Sequence, residues 1–227
     1  MNYAALHRHA QVTLSRSAVA HNLAVIKNHA HAQQVMAVLK ANAFSHGLPE
    51  MAMLSSQSGA TRFGVAMLDE ALALRDLGYQ QPIDVLGLTD PQFVRLAAQR
   101  DITLAFSSLA TIQQAAKILA DTSLHLKVSL PVDTGLNRIG FKERDQLVLA
   151  IQEVVDSKQL EFQSLWTHFA TADTPNETYV DFQISEWQRL TQNLPAQPKE
   201  QHFANTGIAT WYADKVDTDI IRLGVGL

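Results

Sequence analysis

The chain has 227 residues, of which 47% are hydrophobic and 18% charged, and its formal net charge is −4. This composition excludes a disordered chain and supports a sizeable core, and the length fits one large α/β domain or two small ones. The absence of cysteine excludes disulfides and thiolate metal sites. The mildly acidic balance gives no reason to expect nucleic acid or an anionic membrane as a partner.

We expect no targeting segment within these residues. Residues 1–9 lack the hydrophobic stretch of a signal peptide. Apolar runs such as 35–39 and 147–151 are far shorter than the roughly 20 residues that span a bilayer. We therefore expect a cytoplasmic protein without membrane contact, and no histidine spacing indicates a metal site.

Eight short β-like runs alternate with stretches of helical periodicity. Apolar side chains three or four residues apart predict the helices, as at Leu109, Ile112 and Leu119. This alternation indicates parallel strands joined by crossovers, and eight repeats predict an α/β protein with a (β/α)8 TIM-barrel fold. A doubly wound open sheet is the structural alternative. The eight runs are 35–39, 63–66, 83–86, 103–106, 124–128, 162–167, 202–204 and 220–223.

Several helix ends carry sequence signals. Asp90-Pro91 and Thr174-Pro175 are each typical of an N-cap residue followed by proline at the first helical position. Gly78 is expected to close the helix that begins near Leu68.

The sequence predicts a single domain over residues 1–227, incomplete at its C-terminal end. The last residues, Gly224 to Leu227, follow the eighth run directly, and no further helix covers that strand. Because an uncovered apolar strand edge is unfavourable, we expect the natural product to continue beyond Leu227.

Lys40 is the first candidate for chemistry. It directly follows the first apolar run, so we expect it at the carboxyl end of the first barrel strand, where barrel enzymes carry their catalytic residues. Apolar neighbours would lower the pKa of its amine and favour attack on a carbonyl group. A surface lysine that opens a loop is the alternative for this residue taken alone.

The segment around Lys40 resembles a known signature. Residues 38–47, VLKANAFSHG, are similar to the pyridoxal-phosphate segment of the alanine racemase family. Residues 133–140, DTGLNRIG, resemble the family's arginine segment, and residues 167–173, THFATAD, resemble its histidine segment. Residues 204–207 and 221–225 resemble the segments after the seventh and eighth strands, so five motifs in order cover the chain.

The resemblance implies pyridoxal 5'-phosphate as the cofactor, held by Lys40 as an internal aldimine and contacted by Phe44. Arg138 would meet the phenolic oxygen of the cofactor and the carboxylate of the substrate, and His168 would pack beside the ring. Arg222 would face the pyridine nitrogen and leave it unprotonated, because a guanidinium does not readily give up its proton. The phosphate would lie against the residues after strands seven and eight: Asn205, Thr206, Gly224 and Val225.

Simpler explanations exist for some of these residues taken alone. His168 could be a hydrogen-bonded core histidine, and Arg222 could form an ion pair with Asp219. Two positions also differ from the family pattern. Phe44 stands where the family usually has a tyrosine that contacts the phosphate, and Pro131 stands where it usually has a lysine that orients the arginine.

The implied activity is that of an isomerase, an alanine racemase that interconverts L- and D-alanine and supplies D-alanine for the cell wall. The resemblance implies a homodimer in which a C-terminal β domain, absent from these residues, contributes a second acid–base group. The 227-residue chain alone is therefore expected to racemise alanine poorly, and the choice between alanine and serine stays open. The alternatives are a non-catalytic barrel that stores the cofactor and an aldolase that uses Lys40.

Overall fold

The computed structural model describes residues 11–216 and 218–227, which form eight parallel strands alternating with helices. The strands are β1 (Gln34–Val38), β2 (Arg62–Val65), β3 (Ile83–Leu88), β4 (Ile102–Ala105), β5 (Leu126–Pro131), β6 (Leu160–Trp166), β7 (Glu200–His202) and β8 (Ile220–Leu223). The helices are α1 (Arg16–His29), the left-handed turn α2 (Lys40–Phe44), α3 (Leu48–Gln57), α4 (Leu68–Asp76), α5 (Val94–Gln99), α6 (Leu109–Leu119), α7 (Arg144–Asp156), α8 (Glu177–Thr191) and α9 (Thr206–Trp211).

The strands form one sheet in the order β7-β6-β5-β4-β3-β2-β1-β8, so β7 and β8 meet where the sheet closes. Two backbone hydrogen bonds join them: the Asp219 amide donates to the Gln201 carbonyl over 3.2 Å, and the Arg222 amide donates to the Ala204 carbonyl over 2.9 Å. The predicted (β/α)8 barrel is confirmed, and each predicted run overlaps one strand. The open-sheet alternative is wrong.

The outer helices bury one apolar face against the strands. In α6, Ser108 accepts a hydrogen bond from the Thr111 amide at the start of the helix, and Ile112 and Leu119 are fully buried. The described helices include none long and apolar enough to cross a membrane.

Two of the three predicted helix-end signals are confirmed. The Asp90 carboxylate accepts from the Gln92 amide over 2.9 Å, and Gly78 follows α4 with φ at +89°. The prediction at Thr174 is wrong, because α8 begins at Glu177 and its N-cap is Asn176. The Thr174 hydroxyl instead donates to the Thr171 carbonyl over 3.0 Å and closes a turn upstream of the helix.

A buried ion-pair network crosses the barrel near the amino ends of the strands. Arg62 in β2 is 1% exposed and lies 2.8 Å from the Asp84 carboxylate of β3 and 2.5 Å from the Glu200 carboxylate of β7. Strands β1 and β8 separate β2 from β7 in the sheet, so Arg62 reaches Glu200 through the barrel interior. A functional site is therefore expected at the opposite end of the barrel, where the carboxyl ends of the strands lie.

Candidate active site

Lys40 lies two residues after the last residue of β1, at the carboxyl end of the barrel, as predicted. The backbone then makes a left-handed turn, with φ between +52° and +70° over residues 41–45. Each residue there costs about 1–2 kcal/mol relative to a right-handed conformation, so neighbours must hold the turn in place. The Asn42 side chain accepts from the Leu48 amide over 2.8 Å, and the Glu70 carboxylate accepts from the Asn42 amide over 3.3 Å.

The amine of Lys40 lies in an electropositive, half-buried position. Burial lowers its pKa, and the neighbouring guanidinium groups of Arg138 and Arg222 lower it further, whereas the Glu70 carboxylate opposes the shift. The ring of Phe44 lies 6.0 Å from the Lys40 Nζ atom. The lowered pKa predicted for this lysine is confirmed.

The side chain of Arg222 extends from β8 to backbone carbonyl groups at the carboxyl ends of β6 and β7. Its Nη1 atom donates to the His202 carbonyl, and its Nη2 atom donates to the Thr167 carbonyl over 2.7 Å. Burial and the nearby Arg138 lower the pKa of Arg222 to about 9, so it stays charged at neutral pH. The Asp219 carboxylate accepts from the Gln201 amide instead, so the alternative of an Arg222–Asp219 ion pair is wrong.

Two histidines receive hydrogen bonds from Arg222 and are therefore neutral. Its Nη1 lies 2.9 Å from His202 Nδ1, and its Nη2 lies 3.3 Å from His168 Nδ1. Since a guanidinium only donates, both Nδ1 atoms accept and carry no proton. Burial and the nearby Arg222, Arg138 and Lys40 lower the pKa of His168 to about 3. The ring of His202 stacks on that of Trp166, with a centroid distance of 5.9 Å.

Arg138 lies on a loop, residues 133–140, whose two ends are joined. The Asp133 amide donates to the Phe141 carbonyl over 3.0 Å, and the Phe141 amide donates to the Pro131 carbonyl over 2.9 Å. The closure requires Gly140, because a Cβ atom there would lie 2.6 Å from the Asp133 nitrogen and φ is +125°. The loop therefore has a defined backbone although Pro131 stands where the family usually has a lysine.

The four residues predicted for a phosphate group lie on two adjacent chain segments. The Asn205 side chain accepts from the Ile208 amide over 2.9 Å, and the Thr206 hydroxyl accepts from the Gly224 amide over 3.3 Å. A Cβ atom at position 224 would lie 3.0 Å from the Phe44 ring, so the glycine allows that ring to approach. Val225 is 85% exposed at the rim.

All nine site residues predicted from the sequence line one cavity of about 630 Å³. Lys40, Arg138 and Arg222 bring positive charge to its wall, whereas Asp173 is the one carboxylate among the described lining residues. Arg138 and Arg222 lower the pKa of Lys40, and all three cations lower the pKa of His168, so an anionic ligand would offset this concentration of positive charge.

Sequence reasoning missed Trp166 and His202. Trp166 lines the cavity, and Arg222 lies over its ring with 5.4 Å from Cζ to the centroid. Trp166 and His202 are the last residues of β6 and β7, but the sequence pattern indicated this position only for Trp166, which is the next-to-last residue of the sixth run, whereas His202 begins the seventh run.

The fold and this cavity together define a (β/α)8 barrel with a half-buried lysine and two arginines lining a cavity at the carboxyl ends of its strands. A family model for the N-terminal domain of alanine racemase matches residues 14–227, and the chain belongs to that family.

Individual relatives agree with this assignment. The chain is 39% identical to an alanine racemase of Levilactobacillus brevis over 223 residues, which are 97% of this chain and 60% of that protein. It is 72% identical to the solved histidine racemase of Leuconostoc mesenteroides subsp. sake, with a TM-score of 0.97, covering 99% of this chain and 60% of the other. The alanine racemase structure from Oenococcus oeni is 30% identical, with a TM-score of 0.89, and the match covers 93% of this chain and 61% of that one. The chain thus spans about 60% of the length of the relatives described here.

Proposed function

We propose that residues 1–227 form the pyridoxal 5'-phosphate-binding barrel of an amino-acid racemase, an isomerase that acts in the cytoplasm as a homodimer. The observation that carries the proposal is the cavity that joins Lys40, whose pKa is lowered, to the cations Arg138 and Arg222. An amine of this kind suits the aldehyde of the cofactor, and the cations suit its negatively charged oxygens. The Gly224 position supports the fit, because a Cβ atom there would narrow the cavity beside Phe44.

Each predicted site residue has a role consistent with its surroundings. Lys40 would hold the cofactor and afterwards move a proton to or from the Cα atom of the substrate, for which a lowered amine pKa is favourable. Arg138 would bind the substrate carboxylate, and neutral His168 would pack beside the cofactor ring. When bound, the cofactor supplies an electron-withdrawing ring that makes the Cα–H bond of an attached amino acid acidic.

The phosphate would lie between the Thr206 hydroxyl and the backbone of Gly224 and Val225, with Asn205 holding the adjacent helix start. Arg222 would direct its guanidinium toward the pyridine nitrogen. Because this guanidinium stays charged near neutral pH, it would donate a hydrogen bond there and transfer no proton.

We propose histidine as the first substrate to test, because the relative at 72% identity is a histidine racemase. A cavity of about 630 Å³ has room for the cofactor together with an amino acid. Alanine is the second candidate, because curated relatives at 34–39% identity are alanine racemases. In that case the protein would supply D-alanine for the cell wall.

Cα deuterium exchange tests the proposal. The protein is loaded with pyridoxal 5'-phosphate and incubated in D2O with L-histidine, L-alanine or L-serine, and deuterium and enantiomers are measured separately. We expect deuterium exchange with the true substrate and loss of this exchange in Lys40→Ala. The control Lys158→Ala replaces an exposed lysine outside the cavity lining and should leave exchange unchanged. Cofactor binding without exchange of any amino acid would instead support the non-catalytic storage barrel.

The number of proton-transfer groups beside Cα predicts the ratio of the deuterium-exchange rate to the racemisation rate. Lys40 can reach one face of Cα, whereas racemisation needs a group on each face. Loss of one general acid–base partner typically costs about 10²–10⁴ in rate, so exchange by the 227-residue chain should exceed its racemisation by about that factor. Equal rates would place a second base within these residues.

A further inference from the structure

Gln183 is a buried polar side chain that no role above explains. It belongs to α8, its exposed fraction is 0%, and its amide makes hydrogen bonds in three directions. Its Oε1 atom accepts from the Ala170 amide over 2.8 Å. Its Nε2 atom donates to the His168 carbonyl over 3.1 Å and to the Thr134 hydroxyl over 3.0 Å.

These contacts join two loops that carry candidate site residues. Thr134 belongs to the loop of Arg138, and residues 168–170 form the loop that follows β6. The Thr134 and Thr167 hydroxyls lie 2.8 Å apart, and the Thr167 carbonyl accepts from Arg222. The amide of Gln183 is thus linked to Arg222 through the Thr134 hydroxyl and then through Thr167.

The same face of α8 holds the Arg138 loop at a second point. Tyr179 lies one helical turn before Gln183, and its hydroxyl donates to the Gly135 carbonyl over 2.8 Å. The Asp133 carboxylate fixes the loop from within, because it accepts from the Gly135 amide over 3.0 Å and from the Asn137 amide over 2.9 Å. Pro131 has no side-chain polar group for such a task.

We propose that Gln183 is a positioning residue, whose amide holds the loops of Arg138 and His168 in the arrangement that binds the cofactor. The proposal rests on the proposed function for the identity of that ligand. Gln183 acts through the backbone of residues 168–170 and through Thr134, and it does not line the cavity. An aliphatic side chain of similar size would leave the Ala170 amide and the His168 carbonyl without these partners.

Pyridoxal 5'-phosphate binding by Gln183→Leu, Gln183→Glu and the control Gln188→Leu tests the proposal. Gln188 lies on the exposed face of the same helix. We expect the Kd of Gln183→Leu to rise about tenfold or more, which corresponds to the loss of a buried hydrogen bond or two, and that of Gln188→Leu to stay unchanged. Circular dichroism establishes that each variant is folded.

Gln183→Glu distinguishes positioning by hydrogen bonds from a role in packing alone. A protonated carboxyl can donate to the His168 carbonyl and accept from the Ala170 amide, whereas an ionised carboxylate can only accept. The Kd ratio of this variant to the unsubstituted protein should therefore fall toward one as pH is lowered from about 8 to 6, because burial raises a carboxyl pKa into this range. This variant decides the question if Gln183→Leu does not fold.

Two results would overturn the proposal: a Kd for Gln183→Leu equal to that of Gln188→Leu, or a Gln183→Glu ratio that does not depend on pH. If the unsubstituted protein does not bind the cofactor, the proposed function fails. The positioning role is then decided by the His168 ring signals in NMR spectra. These signals should move in Gln183→Glu and stay in place in Gln188→Leu.

Discussion

The neutral His168 predicts that the cofactor-free protein loses stability as the pH falls. Its pKa is about 3 in the folded protein, against an ordinary value of 6.5 when the chain unfolds. Between these values the unfolded chain binds the additional proton, so lower pH favours unfolding. At about 1.4 kcal/mol per pKa unit, this group alone removes about 2 kcal/mol of stability between pH 6.5 and 4.5.

Urea unfolding at pH 7.5, 6.5, 5.5 and 4.5 measures this dependence. His168→Gln keeps a side-chain oxygen that can accept from Arg222 but does not titrate, so its unfolding free energy should decrease by about 2 kcal/mol less over the same interval. His202 remains and contributes its own decrease, because burial also lowers its pKa. His125→Gln, at an exposed histidine, is the control and should behave as the unsubstituted protein. Equal pH dependence in His168→Gln and His125→Gln would refute the reasoning.

Three further substitutions test the cofactor site and the barrel interior. Borohydride reduction of the cofactor-loaded protein should label the peptide of Lys40, and Lys40→Ala should abolish the label; a label on another lysine would contradict the assignment. Phe44→Tyr adds a hydroxyl on the ring beside Gly224, so the Kd for pyridoxal 5'-phosphate, measured by absorbance titration, should fall about fivefold; an unchanged Kd would place the phosphate elsewhere. Arg62→Met leaves the buried Asp84 carboxylate without its partner and should lower the unfolding free energy by about 3–5 kcal/mol, whereas a loss below about 1 kcal/mol in urea unfolding would show that the pair contributes little.

The strands were predictable because their apolar runs stand between polar stretches, but their ends were not. The seventh run, 202–204, shares only His202 with β7, and tertiary contacts extend the fifth. The fifth run ends at residue 128 in the sequence pattern, but β5 continues to Pro131. The extension is stabilised by Ser129, whose hydroxyl accepts from Ser164 over 2.9 Å and from the Trp166 indole over 2.8 Å. These partners lie more than 30 residues away, so no local pattern indicates them.

The candidate site was likewise predictable only in part. Motif resemblance selected nine residues that line one cavity, but it did not indicate how they are held. Asp219 and Arg222 are three positions apart at β8, so their side chains point to opposite faces, and the alternating geometry of a strand disfavours the ion pair considered from sequence. Gln183 lies outside the quoted motifs, and its contacts depend on where α8 packs.

Arg222 also closes the barrel. Its backbone amide supplies one of the two hydrogen bonds between β7 and β8, and its side chain donates to the carbonyls of His202 and Thr167 on the neighbouring segments. Arg222 thus stabilises the seam of the barrel, where β7 meets β8, and places a positive charge in the cavity. A substitution that alters the chemistry at this position also loosens the seam, so the electronic character of the site and the integrity of the barrel must change together.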